Sequence, residues 1–361
     1  MKTTALVLLT LVCVVSTSTL AAWEVTYLKP AGSTDSYAGG VSHGQQSGYA
    51  IIGGEAHAGL WSGTAVSWVD LNPVGATSSY ASGIASGQQS GYAVIGGNDH
   101  AGLWSGTAES WVDLHPVGAS DSTAQGVSGG QQAGFAIFDN RYHAALWSGT
   151  RASWVDLHPS WNFWVSDSIA WEVSDGQQAG FAWMWMGNSW HASLWSGTAT
   201  SWLDLHPIVA SSSYAYGVSG GQQVGEALVG SQYHASLWSG TAASWVDLHP
   251  AGSSYSRALG ISDGLQVGLA TFGGNDHAGL WSGTAASWLD LHSTMPANYT
   301  ASRAKAIEVA GSDIWIAGEA YNSTTGYREA ILWHNVIPEP SSVLMLGSGI
   351  LALAGMIRRR R

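Results

Sequence analysis

The sequence predicts an all-β fold: a seven-bladed β-propeller of four-stranded blades, closed into a ring by its N-terminal strand. Three observations predict it. A unit of about 43 residues recurs along most of the chain. Each unit holds four strand-length apolar runs separated by turn-forming clusters. The chain also begins and ends part-way through a unit. Composition agrees: of 361 residues 10% are charged, 47 are Gly and 21 are Trp. That is the profile neither of a disordered chain nor of a helical one.

The period comes first. Aligned on the Trp of "SWVDLHP", the copies fall at Trp68, Trp111, Trp154, Trp202, Trp245 and Trp288, spaced 43, 43, 48, 43 and 43 residues apart. The N-terminal "WEVTYLKP" supplies a seventh copy, with Val25 another 43 residues upstream. The element "HAxLWSG" starts at His57, His100, His143, His191, His234 and His277, and a worn copy, "REAILWH", runs from Arg328 to His334. The middle element, "AxGVSxGQQxGxA", starts at Ala38, Ala81, Ala124, Ala170, Ala215 and Ala258, with a degraded copy from Ala304.

Each unit therefore reads AxGVS, GYAxxG, HAxLWSG, SWVDLHP. Gly, Ser and Asn clusters between the runs are turn chemistry. Four strands in about 43 residues is a propeller blade; a helical repeat would not tolerate this much Gly. The last unit lacks its fourth strand and the first segment is a spare fourth strand. Pairing them closes the circle and removes two open sheet edges. The propeller is expected over 23–335.

Both ends read as addresses. Residues 1–22 look like a secretory signal peptide: Lys2, then an apolar stretch from Ala5 to Val15, then Leu20-Ala21-Ala22. Cys13 lies inside it, so the mature chain would hold no disulfide and must be stabilised by packing. The other end, residues 336–361, reads "VIPEPSSVLMLGSGILALAGMIRRRR". Pro338, Glu339 and Pro340 precede an apolar run, expected as a transmembrane helix over 342–357, and four arginines favour the cytoplasmic side.

That arrangement resembles the PEP-CTERM sorting tail. The resemblance implies export, a transient inner-membrane anchor, and cutting near the Pro-Glu-Pro motif by an exosortase-type sorting protease. The product would reach the cell surface or extracellular matrix of a Gram-negative bacterium. The repeat itself, as in "GVSGGQQVGEA…HASLWSGTAASWVDLHP", resembles the bacterial extracellular HAF repeat. It departs where that family's Phe after His-Ala is Gly, Ala or Ser. The resemblance implies an exported repeat protein and no particular reaction.

With Lys2, Arg358 to Arg361 and Glu339 set aside, seven basic and 23 acidic residues remain, a net charge of −16. Such a surface repels nucleic acid, which is excluded as a partner.

His, Ser and Asp recur in six of the units and could be taken for a hydrolytic triad. Six copies around a ring do not make one dry cleft, however, and no Gly-x-Ser-x-Gly elbow is present. His57, Trp61, Trp68 and Asp70, with their copies, are expected to tie strands together, buried Trp and His groups finding hydrogen-bond partners. Metal and cofactor are expected to be absent. The second His of each unit, as in His115, is replaced by Asn72 and Lys29 in two copies.

Function is better sought where the repeats disagree. The insertion of the fourth unit reads "HPSWNFWVSDSIAW", and Trp161, Phe163 and Trp164 fall in a blade-joining loop. Tyr142, Trp190 and Tyr233 precede the repeated His in three successive units. Blade-joining loops and second-to-third strand loops emerge on one face, so these six aromatics are expected to cluster there as a ligand-binding patch. Trp183 and Trp185 are expected in the core. A first-strand position also varies: Gly39, Ser82, Gln125, Trp171, Tyr216, Leu259, Lys305.

The expectation is a non-catalytic binding or adhesion protein acting on exopolysaccharide. The alternatives are a purely structural matrix protein, and a polysaccharide-acting hydrolase or lyase. Glycoside hydrolysis needs paired carboxylates. The irregular acids Asp139, Glu172, Glu226, Glu308 and Glu319 show no spacing that singles out a pair.

Overall fold

A computed structural model of the chain describes residues 22–336. The segment expected as a signal and the tail with Pro338, Glu339, Pro340 and its expected helix lie outside these residues. Within them stand seven antiparallel four-stranded sheets, the blades of a propeller. Blade 1 gives the plan. Its inner strand is Ser33–Ser42, its second Gln45–Ile52, its third Glu55–Trp61 and its outer strand Val69–Asp70. A turn at His43 and Gly44, both with positive φ (49° and 72°), joins the first two strands. That is the geometry that matches strand twist in a two-residue hairpin.

The ring closes through the N-terminus. Blade 7 comprises Tyr299–Ala310, Asp313–Asn322 and Tyr327–Val336, and its outer strand is Glu24–Tyr27. Glu24 stands opposite His334 and Tyr27 opposite Ile331. The Leu28 N–H continues the ladder to the Ala330 carbonyl at 2.8 Å. The permuted order of elements is thus the order of a closed ring.

The core lies between blades. Leu60 and Leu71 of blade 1 pack with Ala81, Ile84 and Trp104 of blade 2, and the same set recurs around the ring. Each third strand ends in a fully buried Trp: Trp61, Trp104, Trp147, Trp195, Trp238, Trp281 and Trp333. The expectation that every buried indole finds an acceptor does not hold. The N–H groups of these seven have no partner among the described residues. They are wedged among Leu, Val and Ala side chains that offer none, so dispersion and burial hold them.

The small residue that follows each His-Ala pair also has a cause. Trp61 meets Trp68, just before the outer strand, at 4.6 Å between ring centres. The Trp68 indole lies over the backbone of Gly59, where an added Cβ would come within 1.8 Å of the ring. In blades 4 and 5 that position is Ser193 or Ser236, and its hydroxyl accepts the indole N–H of Trp202 or Trp245 at 3.0 and 2.9 Å. The Trp before the outer strand fills the space, so a small residue is required beside it.

One irregularity sets the shape of the axis. Every inner strand carries a β-bulge at the same place, at Gly39, Ser82, Gln125, Trp171, Tyr216, Leu259 and Lys305. A bulge adds one residue against the partner strand and re-aims its side chain.

Candidate functional site

The repeated polar residues form a lattice. His57 Nδ1–H donates to Asp70 Oδ2 at 2.7 Å, joining the third strand to the outer one. Equivalent pairs recur in blades 2 to 6, for example His234 to Asp247 at 2.8 Å. The other carboxylate oxygen of Asp113 accepts the His115 N–H at 2.8 Å. His115 then bridges to the next blade. Its Nδ1 meets Ser122 Oγ at 2.8 Å, and its Nε2 meets the Ala119 carbonyl at 3.1 Å. A carbonyl only accepts, so the proton sits on Nε2 and the Ser122 hydroxyl donates to Nδ1. Ser122 Oγ in turn accepts the Ala101 N–H at 2.9 Å. Blade 7 joins blade 1 the same way, Ala330 N–H to Ser36 Oγ at 2.9 Å. The Ser122 hydroxyl and both ring nitrogens of His115 are thus committed to neighbouring backbone and side chains.

The bridging histidines are built to be neutral. Burial, followed by the charge of the stacked partner His, pushes His115, His206, His249 and His292 down, and His158 down to about 4. A folded value below the unfolded 6.5 means the unfolded chain takes up the proton first. Stability is therefore full above about pH 6.5 and falls as pH drops towards about 4. The melting temperature should decline through that window, and His158→Gln should make the decline shallower in a pH series of thermal melts.

The non-repeated aromatics do not form one patch. Trp161 leans over the outer rim: its indole N–H donates to the Ala199 carbonyl at 3.3 Å, and its ring stands edge-on to Trp202 at 6.3 Å. Phe163 and Trp164 lie against each other at 4.4 Å and are 75% and 41% exposed. Tyr142 packs on Phe135, Trp190 on Phe181 and Trp183, and Tyr233 on Tyr214 and Tyr255. Trp190 and Tyr233 are half-buried in this aromatic layer, whereas Tyr142 is exposed.

Trp185, expected in the core, is instead 57% exposed. It sits in the turn between the second and third strands of blade 4, where its N–H reaches the Trp164 carbonyl at 2.9 Å. The Arg141 guanidinium lies over its ring at 5.7 Å. Met186 beside it is 61% exposed. Phe163, Trp164, Trp185 and Met186 thus make an open apolar patch at one end of blade 4. The insertion lengthened this corner and left its rings without a blade to cover them. The run "WMWMGNSW" contained the signal, but alternation alone assigns Trp185 inward with Trp183.

A second cluster lies on the first three strands of blades 5 to 7. Glu226, almost fully buried, accepts both Arg257 nitrogens at 2.8 and 2.7 Å and the hydroxyls of Tyr216 and Tyr255 at 3.0 and 2.8 Å. Arg303 pairs with Asp276 at 2.7 Å, and Glu319 lies between Arg303 and Arg328 at 3.5 and 3.4 Å. Glu172 stands alone on blade 4, where burial raises it to about 7 against the opposing effect of the Val173 N–H. Among the described residues no group of His, Cys, Asp and Glu is arranged to hold a metal ion.

Comparison with known proteins bears on the tail and the fold. Residues 336–361 match the family model of the PEP-CTERM protein-sorting motif, which marks exported exosortase substrates of Gram-negative bacteria. No curated protein matches the chain. The fold is similar to the β-propeller domain of the Trilobed protease from Pyrococcus furiosus, a propeller of open velcro topology. The TM-score is 0.53 at 9% identity over 86% of this chain and 97% of that one. It is also similar to acylaminoacyl peptidase from Pyrococcus horikoshii (TM-score 0.47, 10% identity, 89% of this chain) and to TolB from Acinetobacter baumannii (0.45, 9%, 70% of this chain). The chain spans 55% of the peptidase and 65% of TolB. At these identities the likeness is one of fold alone.

Proposed function

We propose that this exported, exosortase-targeted propeller is a non-catalytic binding protein of the cell surface or matrix, with exopolysaccharide as its ligand. The observation that carries the reading is the open patch of Phe163, Trp164, Trp185 and Met186 with Arg141 over it. Rigidly held exposed rings stack on the apolar faces of sugars, and exposed apolar surface of this kind marks an interaction site. The sorting motif supports an extracellular place of work. The repeated His, Ser and Asp are absorbed by the blade lattice, which removes the main support for a hydrolase.

The test is binding of polysaccharide preparations to residues 23–335, read by intrinsic Trp fluorescence. The Phe163→Ala, Trp164→Ala double variant should lose saturable binding while keeping the wild-type melting temperature. Base-free stacking on a single ring is worth about 1 kcal/mol, so two rings should cost roughly tenfold or more in affinity. Trp161→Ala, on the rim, should matter less. A folded wild-type protein that binds no preparation would favour the purely structural alternative.

A further inference from the structure

The bulge ring has a consequence at the axis. The seven bulged residues, one from each blade, all line a single central cavity of about 750 Å³. That lies within the roughly 300–1,000 Å³ of small-molecule sites. The ring is asymmetric. Blades 1 and 2 contribute Gly39 and Ser82, which leave room, whereas blades 4 and 5 contribute Trp171 and Tyr216. Beside the small residues stands a tyrosine wall. Tyr37 stacks on Tyr49 at 4.6 Å, Tyr80 on Tyr92 at 4.7 Å, and Tyr49 meets Tyr80 edge-on at 4.8 Å.

Blade 7 contributes a cation. Lys305 lines the cavity, and its ammonium forms no hydrogen bond or ion pair among the described residues, unlike the guanidinium groups of Arg257, Arg303 and Arg328 near it. These four are four of the seven basic residues left once both ends are set aside. In a body of net charge −16 they gather on blades 6 and 7, and of the four Lys305 is the one on the channel wall. The arginines are matched by Glu226, Asp276 and Glu319, and Lys305 is the charge left over. Burial pushes its ammonium below the ordinary value, with Glu319 working the other way. A bound carboxylate would supply the solvation that the channel withholds. Of the other acids on the wall, Glu308 accepts the Ser42 hydroxyl and the His43 N–H at the far end of the inner strand. Glu172, which also lines the cavity, is raised to about 7 by burial.

We propose that the central channel binds a carboxylated sugar ring, a uronic acid residue, with Lys305 as its anion-binding group and the tyrosines of blades 1 and 2 as its stacking wall. The wall suits hydroxyls as well as a ring face, since Ser82, Gln125 and Glu172 all border the space. The site is separate from the blade 4 patch and does not depend on it.

The test is calorimetric titration of residues 23–335 with trigalacturonate and, in parallel, with the neutral galactose trimer. Trigalacturonate should bind saturably and the neutral trimer at least tenfold more weakly. Lys305→Met should weaken trigalacturonate binding by roughly tenfold or more, the loss of one charge-assisted hydrogen bond in a dry site. Ser82→Trp should abolish binding by plugging the cavity from the open side. Blade 4 already carries Trp171 at the same bulge position, so this variant keeps the fold. The Phe163→Ala, Trp164→Ala variant should bind trigalacturonate like wild type, which separates this site from the patch. Absence of trigalacturonate binding to the folded wild type, equal binding of the neutral trimer, or binding unchanged in either Lys305→Met or Ser82→Trp would overturn the proposal.

Discussion

Replacing Gly134 by Ala should destabilise the protein by roughly 3 kcal/mol, at the upper end of what overpacking usually costs. Ordinarily such a change in a strand is harmless or helpful, because Ala restricts the unfolded chain. Here the Cβ would stand 1.9 Å from the Thr123 carbonyl oxygen. The cause is the bulge. Gly134 pairs with Ala124, next to the bulged Gln125, and the distorted inner strand lays its carbonyl across the facing α-carbon. All seven blades keep Gly at this place, with the same near contact to Tyr37, Tyr80, Ile169, Tyr214, Arg257 or Arg303 in the others. Both partners are backbone, so neither can turn aside as a side chain could. Denaturant melts would measure the loss. Gly220→Asp is the control. Its φ is 55°, and blade 4 holds Asp175 at the equivalent turn position with φ 52°, so the control should melt near wild type.

Removing residues 22–30 should cost more than any point variant and should change the state of association. Those residues supply the outer strand of blade 7. Leu28 is fully buried, Tyr27 stacks on Tyr299 at 4.9 Å, and Trp23 and Val25 pack on the same core. Without them the strand Tyr327–Val336 becomes an open edge with unpaired N–H and C=O groups, a template for another chain. The truncated protein should melt at markedly lower temperature and elute as oligomers in size-exclusion chromatography. A synthetic peptide of residues 22–30 should restore the monomer by refilling the edge. Leu28→Ala isolates the packing part and should cost about 3 kcal/mol. A truncated protein that stays monomeric and melts like wild type would mean that the ring is held by the blade-to-blade lattice alone.

The ring, its blade number and its closure were legible because each is a property of order and period. Seven Trp-anchored units and a displaced first strand require little else. The His–Asp and His–Ser bridges could be expected in kind, since six copies of a polar set argue for scaffold over catalysis. Other features were hidden for physical reasons. A bulge present in every unit adds one residue to each and leaves the period unchanged, so the aim of Lys305 and its six counterparts into the axis could not be read. Trp185 alternates with Trp183 as a buried residue would, but the insertion before Val165 raises the neighbouring corner and leaves Trp185 under Arg141 in solvent. The six non-repeated aromatics differ in their neighbours: Trp161 meets Trp202 while Trp190 meets Phe181, a difference set by strand position within a blade.

The central claim is that repeated residues build the scaffold and non-repeated ones at one end of it bind. Amide hydrogen exchange of residues 23–335 with and without bound polysaccharide tests this most directly. Protection should fall on the blade-joining loop at 160–165 and the turn at 185–188. The turns at the opposite end, such as 43–44 and 129–130, should exchange unchanged. Protection confined to those opposite turns, or spread evenly over all seven blades, would contradict it.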